Sequence, residues 1–443
     1  MNSSKSSKIF RSRKILLENL KKHLENQKKN KIILEIEEYI DSFPTEYFIL
    51  DQLYASFMNE IGSTEVSQGI SKLIAETNVR LRNQGKKHFG LPPIMQHTHL
   101  LDRVGELADQ TAAVSQSFQL GNIHAKPILP ILNLEKISNS AFLPYLLDTF
   151  DVLTNPEEVK YYLSKMPLSP FNSVHLKYSD SIFGSFSDAS ANVADLLISR
   201  NKNPFPFSLK EETLAKALLF LKKFNVSEKD EFVTLHLREG DNKFGEQHNW
   251  RNINVADHQE AIQWLLNNGI KVIRIGDKSM TPMESHKGLI DLSSITRIPE
   301  VDLFLCAKCL FYYGNPSGPS SIASLFGRPM FYTSLTTYAH SRFNALNQIT
   351  PMIDKSTNKI LNLEKLHEMD ISTIFAPKPL LRKNLVLKNI NPSEHLECVK
   401  EMMVLINKST FYLIEDEVPE NLEKIGLSKR VVLASTSKNL LLR

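Results

Sequence analysis

The stretch DEFVTLHLREGD, residues 230–241, changes abruptly from an apolar strand to a charged turn. Residues 232–237, FVTLHL, alternate large apolar side chains with a period of two, which is typical of a buried β-strand. The next four residues are Arg238, Glu239, Gly240 and Asp241. A core strand that ends in charged side chains predicts a functional edge of a sheet, and the neighbouring sequence shows which kind of sheet.

Strands and helices alternate through the region around this stretch. Strand-like runs are LFYYG and PMFYT at 310–314 and 329–333, besides IKVIRIG at 270–276 and GLIDLSS at 288–294. Between them lie four helical patterns: 208–226, 255–269, 299–309 and 319–326. Ser208 and Glu211 have the spacing of a capping box, and Pro299 and Gly269 suit a helix start and a helix end. This alternation predicts βαβ units and a doubly wound parallel sheet.

The chain before residue 207 divides into two further segments. Residues 8–85 have helical periodicity, with Ile15, Leu16, Leu20 and Leu24 expected near one face, and GLPPIM at 90–95 interrupts it. A less regular α/β pattern follows. We therefore expect an α/β protein with a helical N-terminal extension at 1–95, Rossmann-like domains at 96–206 and 207–380, and a partly helical tail at 381–443.

Composition places the chain among water-soluble globular proteins. It has 443 residues, 42% hydrophobic and 23% charged, and a mean hydropathy of −0.22. No apolar run reaches the roughly 18 residues of a membrane-spanning helix. The basic, polar N-terminus lacks the apolar core of a secretory signal, and three cysteines do not make a disulfide framework. These features predict a cytoplasmic protein.

Positive charge is concentrated at the N-terminus. Residues 1–31 contain ten Lys/Arg against two Glu, a charge of +8, so the other residues together carry −4 within the chain total of +4. No basic stripe follows in the body, which disfavours a nucleic-acid partner. The segment is either a solvated terminal helix or an arm that lies on anionic lipid at the inner membrane surface.

Polar residues follow each strand of the second α/β region, where ligands bind in open parallel sheets. Arg274, Gly276 and Asp277 follow one strand, and NPSGPSS at 315–321 follows another. Guanidinium groups and the free N–H groups of a helix start both bind phosphate. We expect Arg238 and Arg274 to bind a phosphate ligand. The other expected contacts of this ligand are His236, Gly276, Asp277, Ser317, Gly318, Ser320 and Ser321.

The acidic residues after the first strand have two possible roles. Glu239 or Asp241 is a candidate general base, and either could instead orient Arg238. His236 is either a site residue or a buried, hydrogen-bonded histidine. NPSGPSS matches neither a Walker A loop nor the dinucleotide GxGxxG pattern, so kinase and dehydrogenase functions are disfavoured. Each of these residues could also serve only the fold.

Cysteine and histidine spacing predicts no metal site. Cys306 and Cys309 form a CxxC pair inside an apolar helix, with no second pair at zinc-finger spacing. Buried structural cysteines are the better interpretation. His97 and His99 also lack predicted partners, so we expect no cofactor.

The run from FSLKEETL at residue 207 to PMFYT at residue 333 resembles a family of bacterial glycosyltransferases associated with cell-surface polysaccharide loci. The matching motifs are a strand ending in H-x-R, then RN before a helix, VIRIGD, ID, and DLFL followed by an S-G loop. The resemblance covers about residues 100–370. The H-x-R strand end is also similar to that of fucosyltransferase-like enzymes. Val104, Gly105 and Glu106 stand where the family usually has Ile-Gly-His, which puts any role of that histidine in doubt.

This resemblance implies a GT-B architecture, with two Rossmann-like domains facing across a cleft. It assigns 96–206 to the acceptor and 207–380 to the nucleotide-sugar donor, whose diphosphate Arg238 and Arg274 would hold. It further implies transfer of a sugar from a nucleotide-diphospho-sugar to a glycan or lipid-linked acceptor, without a bound metal. Two alternatives stay open: a GT-B-like nucleotide-sugar epimerase or hydrolase, and a non-catalytic scaffold at the membrane surface.

Overall fold

The computed structural model describes residues 2–95, 102–166, 170–171, 175–239, 251–295, 298–406, 428 and 430–441. It is an α/β structure with two separate parallel sheets, of four and seven strands. The expected α/β fold class is confirmed. Among the described residues, no helix is long and apolar enough to cross a membrane.

The N-terminal extension is helical, as expected. Its helices are α1 (Asn2–Glu25), α2 (Lys29–Ser42), α3 (Ile49–Ser56), a π-helical turn (Phe57–Ile61) and α4 (Thr64–Phe89). Leu16 and Leu20 are buried among apolar residues of α2, α3 and α4, and Leu24 packs against them. Ile15 differs from the expectation because it is 48% exposed: one residue before Leu16 in a helix, it points about 100° away from the buried face.

The first parallel sheet is small. Its strands are β1 (Ile94–Met95), β2 (Ile128–Pro130), β3 (Asp151–Leu153) and β4 (Pro170–Phe171), in the order β3-β2-β1-β4. A short antiparallel pair, β5 (Leu176–Lys177) and β6 (Phe183–Gly184), follows it. The helices of this region are α5 (Val104–Leu120), α6 (Leu143–Thr149), α7 (Pro156–Lys165) and α8 (Phe186–Ser199). Asn139 accepts a hydrogen bond from Ala141 N–H and caps the turn before α6.

The second parallel sheet is doubly wound. Its first six strands are β7 (Phe232–His236), β8 (Lys271–Arg274), β9 (Leu289–Asp291), β10 (Phe311–Gly314), β11 (Met330–Leu335) and β12 (Ala345–Ile349). They lie in the order β9-β8-β7-β10-β11-β12. The chain therefore moves outward from β7 on one side and, after β9, returns to the centre at β10 to build the other side. The carboxyl ends of β7 and β10 flank the point where this order reverses.

Helices cover both faces of the large sheet. They are α9 (Glu211–Leu221), α10 (Gln259–Asn267), α11 (Pro299–Lys308) and α12 (Gly318–Leu325). The helix predicted from Ser208 begins later, because Lys210 is the N-cap of α9 and makes no side-chain capping bond. The capping box of Ser208 and Glu211 is therefore wrong. Ser208 instead accepts a hydrogen bond from the Tyr145 hydroxyl through its backbone carbonyl.

The C-terminal residues complete the large sheet. After a small antiparallel sheet of β13 (Met352–Asp354), β14 (Lys359–Leu361) and β15 (Leu385–Leu387) comes α15 (Pro392–Ile406), which packs against α10. Strand β16 (Val432–Leu433) then pairs with β12 at the sheet edge. The remaining helices are α13 (Leu363–Glu368), α14 (Pro377–Arg382) and α16 (Ser435–Leu441). Thus part of the expected tail, 381–443, is integral to the second domain.

Apolar packing joins the two α/β regions. One hydrophobic core contains residues of α5, α6 and α8 together with residues of α11 and α12. Cys306 and Cys309 are fully buried in it, which agrees with a structural role. Burial raises the pKa of the Cys309 thiol to about 11, so it stays protonated at neutral pH. The two regions are thus in direct apolar contact at α5 and α12.

The close contact between α5 and α12 requires glycine at two positions. A Cβ atom on Gly105 would lie 2.9 Å from the Cα of Gly318, and one on Gly318 would lie 2.6 Å from Cγ1 of Val104. We expect Gly105→Ala and Gly318→Ala each to lower the free energy of unfolding by about 1–3 kcal/mol, because the helices must separate. This exceeds the roughly 1 kcal/mol that alanine gains in helix propensity. Urea unfolding measures the change, and Ser115→Ala, farther along α5, is the control; unchanged unfolding of both glycine variants would contradict the contact.

Candidate anion-binding site

The site lies where the strand order of the large sheet reverses. There β7 and β10 are paired, with His236 opposite Gly314, and the chains leaving them diverge. A Cβ atom on Gly314 would be 2.3 Å from the carbonyl oxygen of His236, so only glycine allows the strand ends to approach this closely. Ligands of doubly wound sheets bind in the crevice at this position.

Two helix N-termini meet beside this crevice. Helix α12 begins at Gly318, three residues after Asn315, and its first turn contacts the first turn of α5 through Gly318 and Gly105. The first N–H groups of a helix have no partner within the helix, and the helix dipole makes this end positive. Two such ends side by side favour an anion.

Three arginines lie around the same point. Arg238 follows β7, and Arg103 is the N-cap of α5. Arg251 is the first described residue after 240–250. Burial and the neighbouring guanidinium groups of Arg251 and Arg103 lower the pKa of Arg238 to about 10. Burial likewise lowers the pKa of Arg251, and Arg103 adds to that effect. Arg238 and Arg251 remain cationic at neutral pH, and a bound anion would relieve the repulsion among the guanidinium groups.

A buried ion pair lies behind this cluster. Arg342 is 5% exposed and its Nη2 lies 3.3 Å from Oδ2 of Asp109 on α5. The Ser321 hydroxyl on α12 donates to the same carboxylate at 3.1 Å. The pKa of His340 falls to about 3 through burial, Arg251 and Arg342, so this imidazole is neutral at neutral pH. The ion pair thus ties α5 to the large sheet under the arginine cluster.

The structure brings three of the predicted residues to this site. Arg238, Ser317 and Gly318 are each partly exposed at the crevice. The backbone N–H of Arg238 donates to Asn315 Oδ1 at 2.9 Å, and its Nε donates to Asn252 Oδ1 at 3.2 Å. The expected grouping of the β7 strand end with the NPSGPSS segment therefore agrees with the geometry, while the ligand contacts of these residues stay predictions.

Two serines differ from the expectation that they contact the donor. The Ser320 hydroxyl donates to the Ser317 carbonyl at 2.6 Å and accepts from its N–H at 3.2 Å. The Ser321 hydroxyl is occupied by Asp109. Both residues are buried, so they shape the start of α12 rather than line the crevice. His236 is also buried, at 8% exposure, and ends β7.

Arg274 has a different environment from the one expected. It is fully buried, and its guanidinium donates to Glu239 at 2.5 Å, to Asp291 at 3.1 Å and to the Thr281 carbonyl at 2.6 Å. The Glu239 carboxylate also accepts from the Thr281 N–H at 2.8 Å. Arg274 is therefore enclosed by protein groups in this conformation and does not reach the crevice. Glu239 orients an arginine, as one alternative held, but that arginine is Arg274 rather than Arg238.

Two more predicted residues, Gly276 and Asp277, lie in the turn after β8. Asp277 is exposed and accepts hydrogen bonds from Ser279 N–H and Oγ, which stabilises the turn. A Cβ atom on Gly276 would lie 2.2 Å from the sulfur of Met280, so alanine there would require the methionine side chain to move. Asp241 and Gly240 fall outside the described residues, and the expectation for Asp241 stays a prediction.

Sequence reasoning missed three residues of the cluster. Arg103 and Glu106 lie in the first turn of α5, where Arg103 Nη1 donates to Glu106 Oε1 at 2.9 Å. Arg251 is the R of the RN motif, which drew attention only as part of a family pattern. Glu106 acts electrostatically on Arg251 and keeps 44% of its side chain exposed. The Glu106 carboxylate is thus both close to the arginines and exposed to solvent. The described carboxylates of Asp109 and Glu239 are mostly buried.

The arrangement is suited to bind a phosphate or diphosphate group. Guanidinium groups and helix N-termini both donate hydrogen bonds to phosphate oxygens. In the described part of the chain, no group of three or more His, Cys, Asp and Glu residues is placed to hold a metal ion.

No family model and no curated protein matches this chain. Solved structures do show a resemblance. The ADP-heptose LPS heptosyltransferase II of Escherichia coli is 11% identical, covers 70% of this chain and 98% of its own, and has a TM-score of 0.34. A glycosyl transferase family 9 protein from Veillonella parvula is 11% identical over 70% and 96%, with a TM-score of 0.41.

A UDP-GlcNAc 2-epimerase from Methanocaldococcus jannaschii resembles the chain less closely. It is 14% identical, covers 52% of this chain and 65% of its own, and has a TM-score of 0.18. With TM-scores below 0.5, none of these resemblances assigns a function, which depends on the chemistry of the site.

The different environments of Arg274 and Arg238 give different expected effects on replacement. Arg274→Ala leaves two largely buried carboxylates without their cation and should lower the free energy of unfolding by about 3–5 kcal/mol. Arg238→Ala should change unfolding little and instead weaken the binding of inorganic pyrophosphate. Urea unfolding and calorimetric titration measure the two quantities. Lys271→Ala, which breaks a more exposed ion pair with Asp230 on the same strand as Arg274, should cost about 1 kcal/mol or less. A stable Arg274→Ala protein with weakened pyrophosphate binding would restore Arg274 to the ligand site.

Proposed function

We propose that the protein is a glycosyltransferase of GT-B type that transfers a sugar from a nucleotide-diphospho-sugar to an acceptor. The observation that carries this proposal is the concentration of cationic side chains at the strand-order reversal, where three arginines lie near the Glu106 carboxylate. Burial, Arg251 and Arg103 lower the pKa of Arg238 there, beside two helix N-termini. A diphosphate supplies the two adjacent anionic groups that such a site favours.

The same groups would assist departure of the nucleoside diphosphate. As the glycosidic bond breaks, negative charge grows on the diphosphate oxygen. Guanidinium and backbone N–H groups fixed in place before reaction stabilise that charge without reorganising. This electrostatic role needs no bound metal, and metal-independent transfer is part of the proposal.

We assign the role of general base to Glu106 as the first candidate. Its carboxylate lies at the edge of the arginine cluster on the α5 side, which the GT-B proposal gives to the acceptor. A carboxylate there could take the proton from an acceptor hydroxyl as the hydroxyl oxygen attacks the anomeric carbon. Asp241 is the second candidate, on the sequence alone. Glu239 is less suited, because its carboxylate holds Arg274 and the Thr281 N–H.

A donor screen with matched variants tests this proposal. Purified protein is titrated with ADP-, UDP-, GDP- and dTDP-sugars and with CMP-sugars, and binding is followed by thermal shift. Loss of one charge-assisted contact costs about 1.5–3 kcal/mol, so Arg238→Ala or Arg251→Ala should raise the Kd of the bound donor roughly 10- to 150-fold. The exposed Arg200→Ala is the control. Failure of every nucleotide and sugar nucleotide to bind would contradict the donor site and favour a scaffold.

Turnover distinguishes transfer from the alternative reactions. With donor and an acceptor extract, Glu106→Gln should keep donor affinity within about threefold and lower kcat roughly 100-fold or more, the usual contribution of a general base. Glu135→Gln, an exposed residue between β2 and α6, is the control. Epimerisation or hydrolysis of the donor at full rate without acceptor would favour the epimerase or hydrolase and contradict transfer.

The acceptor and location form a second part of the proposal. We propose a glycan or lipid-linked acceptor of bacterial surface-polysaccharide synthesis, reached from the cytoplasmic face of the membrane. Helix α1 supports this location, because its outer surface exposes Arg11, Lys14, Lys21 and Lys22 together with Ile15 and Leu17, each 48% exposed. Basic side chains next to exposed aliphatic ones suit an anionic lipid surface.

Vesicle binding tests the location. The protein should cosediment with vesicles containing phosphatidylglycerol and not with pure phosphatidylcholine. Replacing Lys14, Lys21 and Lys22 by Gln should weaken binding roughly 100-fold, since each lysine near an anionic surface contributes about 1 kcal/mol. The same change at the exposed Lys355, Lys359 and Lys365 is the control. Equal binding by both triple variants would remove α1 from the membrane contact.

A further inference from the structure

Two arginines of the candidate site stand at the two ends of one chain segment. Arg238 and Glu239 follow β7, and Arg251 is the next described residue. The two ends lie side by side, because Ile253 N–H donates to the Arg238 carbonyl at 3.0 Å. The residues between them, 240–250, are outside the described chain, and the contacts that join the two ends involve none of them.

Asn315 bridges these two ends with its side chain. Its Oδ1 accepts the Arg238 N–H at 2.9 Å, and its Nδ2 donates to the Arg251 carbonyl at 2.7 Å. Asn315 is fully buried and follows β10 directly, across the strand-order reversal from Arg238. The glycine before it, Gly314, allows the close approach to His236 that brings the amide within reach.

The bridge needs an acceptor and a donor on the same short side chain, which the asparagine amide supplies. A carboxylate accepts but does not donate, an aliphatic side chain does neither, and glutamine places the same groups one methylene farther out. Loss of the bridge would leave the Arg238 N–H and the Arg251 carbonyl without this partner. The two bonds also oppose the repulsion that pushes the Arg238 and Arg251 guanidinium groups apart.

We propose that Asn315 is a positioning residue that sets the spacing of Arg238 and Arg251 and so determines the affinity of the site for a diphosphate. Asn315 acts through the backbone of the two arginines rather than through contact with the ligand. The inference rests on the proposed function, since it takes the diphosphate as the ligand.

Hydrogen exchange and pyrophosphate binding test the two halves of this inference separately. In the full-length protein, Asn315→Leu should speed exchange of the Arg238 and Ile253 amides at least tenfold and raise the Kd of inorganic pyrophosphate at least tenfold. Asn315→Ser, whose hydroxyl is too short to reach both partners, should show the same two changes if the leucine variant does not fold. Asn315→Gln should restore part of the affinity.

The matched control is Asn344→Leu. Asn344 is equally buried and also bridges backbone and side-chain groups, donating to the Arg328 carbonyl at 2.7 Å and accepting from Ser324. It should lower thermal stability to a similar degree without changing exchange at Arg238 or pyrophosphate affinity. If amide exchange and pyrophosphate affinity depended only on stability, Asn315→Leu and Asn344→Leu would change them equally.

Each result decides a defined claim. Unchanged exchange at Arg238 and Ile253 in the Asn315 variants overturns the bridge. Faster exchange with unchanged pyrophosphate affinity overturns its role in positioning the arginines. If the wild-type protein binds neither pyrophosphate nor any nucleotide, the proposed function fails, and with it the diphosphate part of this inference, whereas exchange still decides whether Asn315 holds the two chain ends.

Discussion

The contact between Gly105 and Gly318 is the constraint on which the candidate site depends. Two helices from different α/β regions approach there until a single methyl group would not fit. This approach places the first turns of α5 and α12 side by side and brings Arg103 and Glu106 to the crevice beside Arg238 and Arg251. The site is therefore assembled from two regions of the chain.

Buried charge is arranged in two different ways around that contact. Arg342 and Arg274 are enclosed and each has carboxylate partners, as the cost of burying an unpaired charge requires. Arg238 and Arg251 are only partly buried, and the guanidinium groups near them lower their pKa. Compensated arginines hold the elements together, whereas the repelling ones lie where an anion could enter.

Much of the fold follows from local sequence patterns. Strands β7 to β11 of the large sheet and the helices between them lie where alternation and helical periodicity place them, and the carboxyl end of β7 borders the candidate site. Strand β12 (Ala345–Ile349) has no counterpart among the predicted strands. The strand order itself is not local information, because it depends on which strand β10 pairs with. The misplaced start of α9 shows the same limit: Ser208 fits a capping box, but the Tyr145 hydroxyl binds its carbonyl.

The site residues were only partly predictable, because their environment also depends on contacts that are distant in sequence. Arg238 and Arg274 both end buried strands, and nothing local distinguishes an arginine facing a ligand from one facing Glu239 and Asp291. Arg251 and Arg103 precede helices in ordinary polar surroundings, so their convergence depends on the packing of α5 against α12. The serines of NPSGPSS suggest a ligand site by their composition, but two of them make hydrogen bonds within the protein. Ser320 donates to the Ser317 carbonyl and Ser321 to the Asp109 carboxylate.

The bonds that join the two ends of the segment after β7 link the candidate site to the assembly of the sheet. Asn315 follows β10 and lies 77 residues from Arg238 in the chain, so its amide reaches both arginines only when β10 has paired with β7. The spacing of Arg238 and Arg251 is therefore set by the central strand pair of the sheet and not by their own sequence neighbours. A change that disturbs the pairing of β7 with β10 should disturb the anion site even where both arginines are kept.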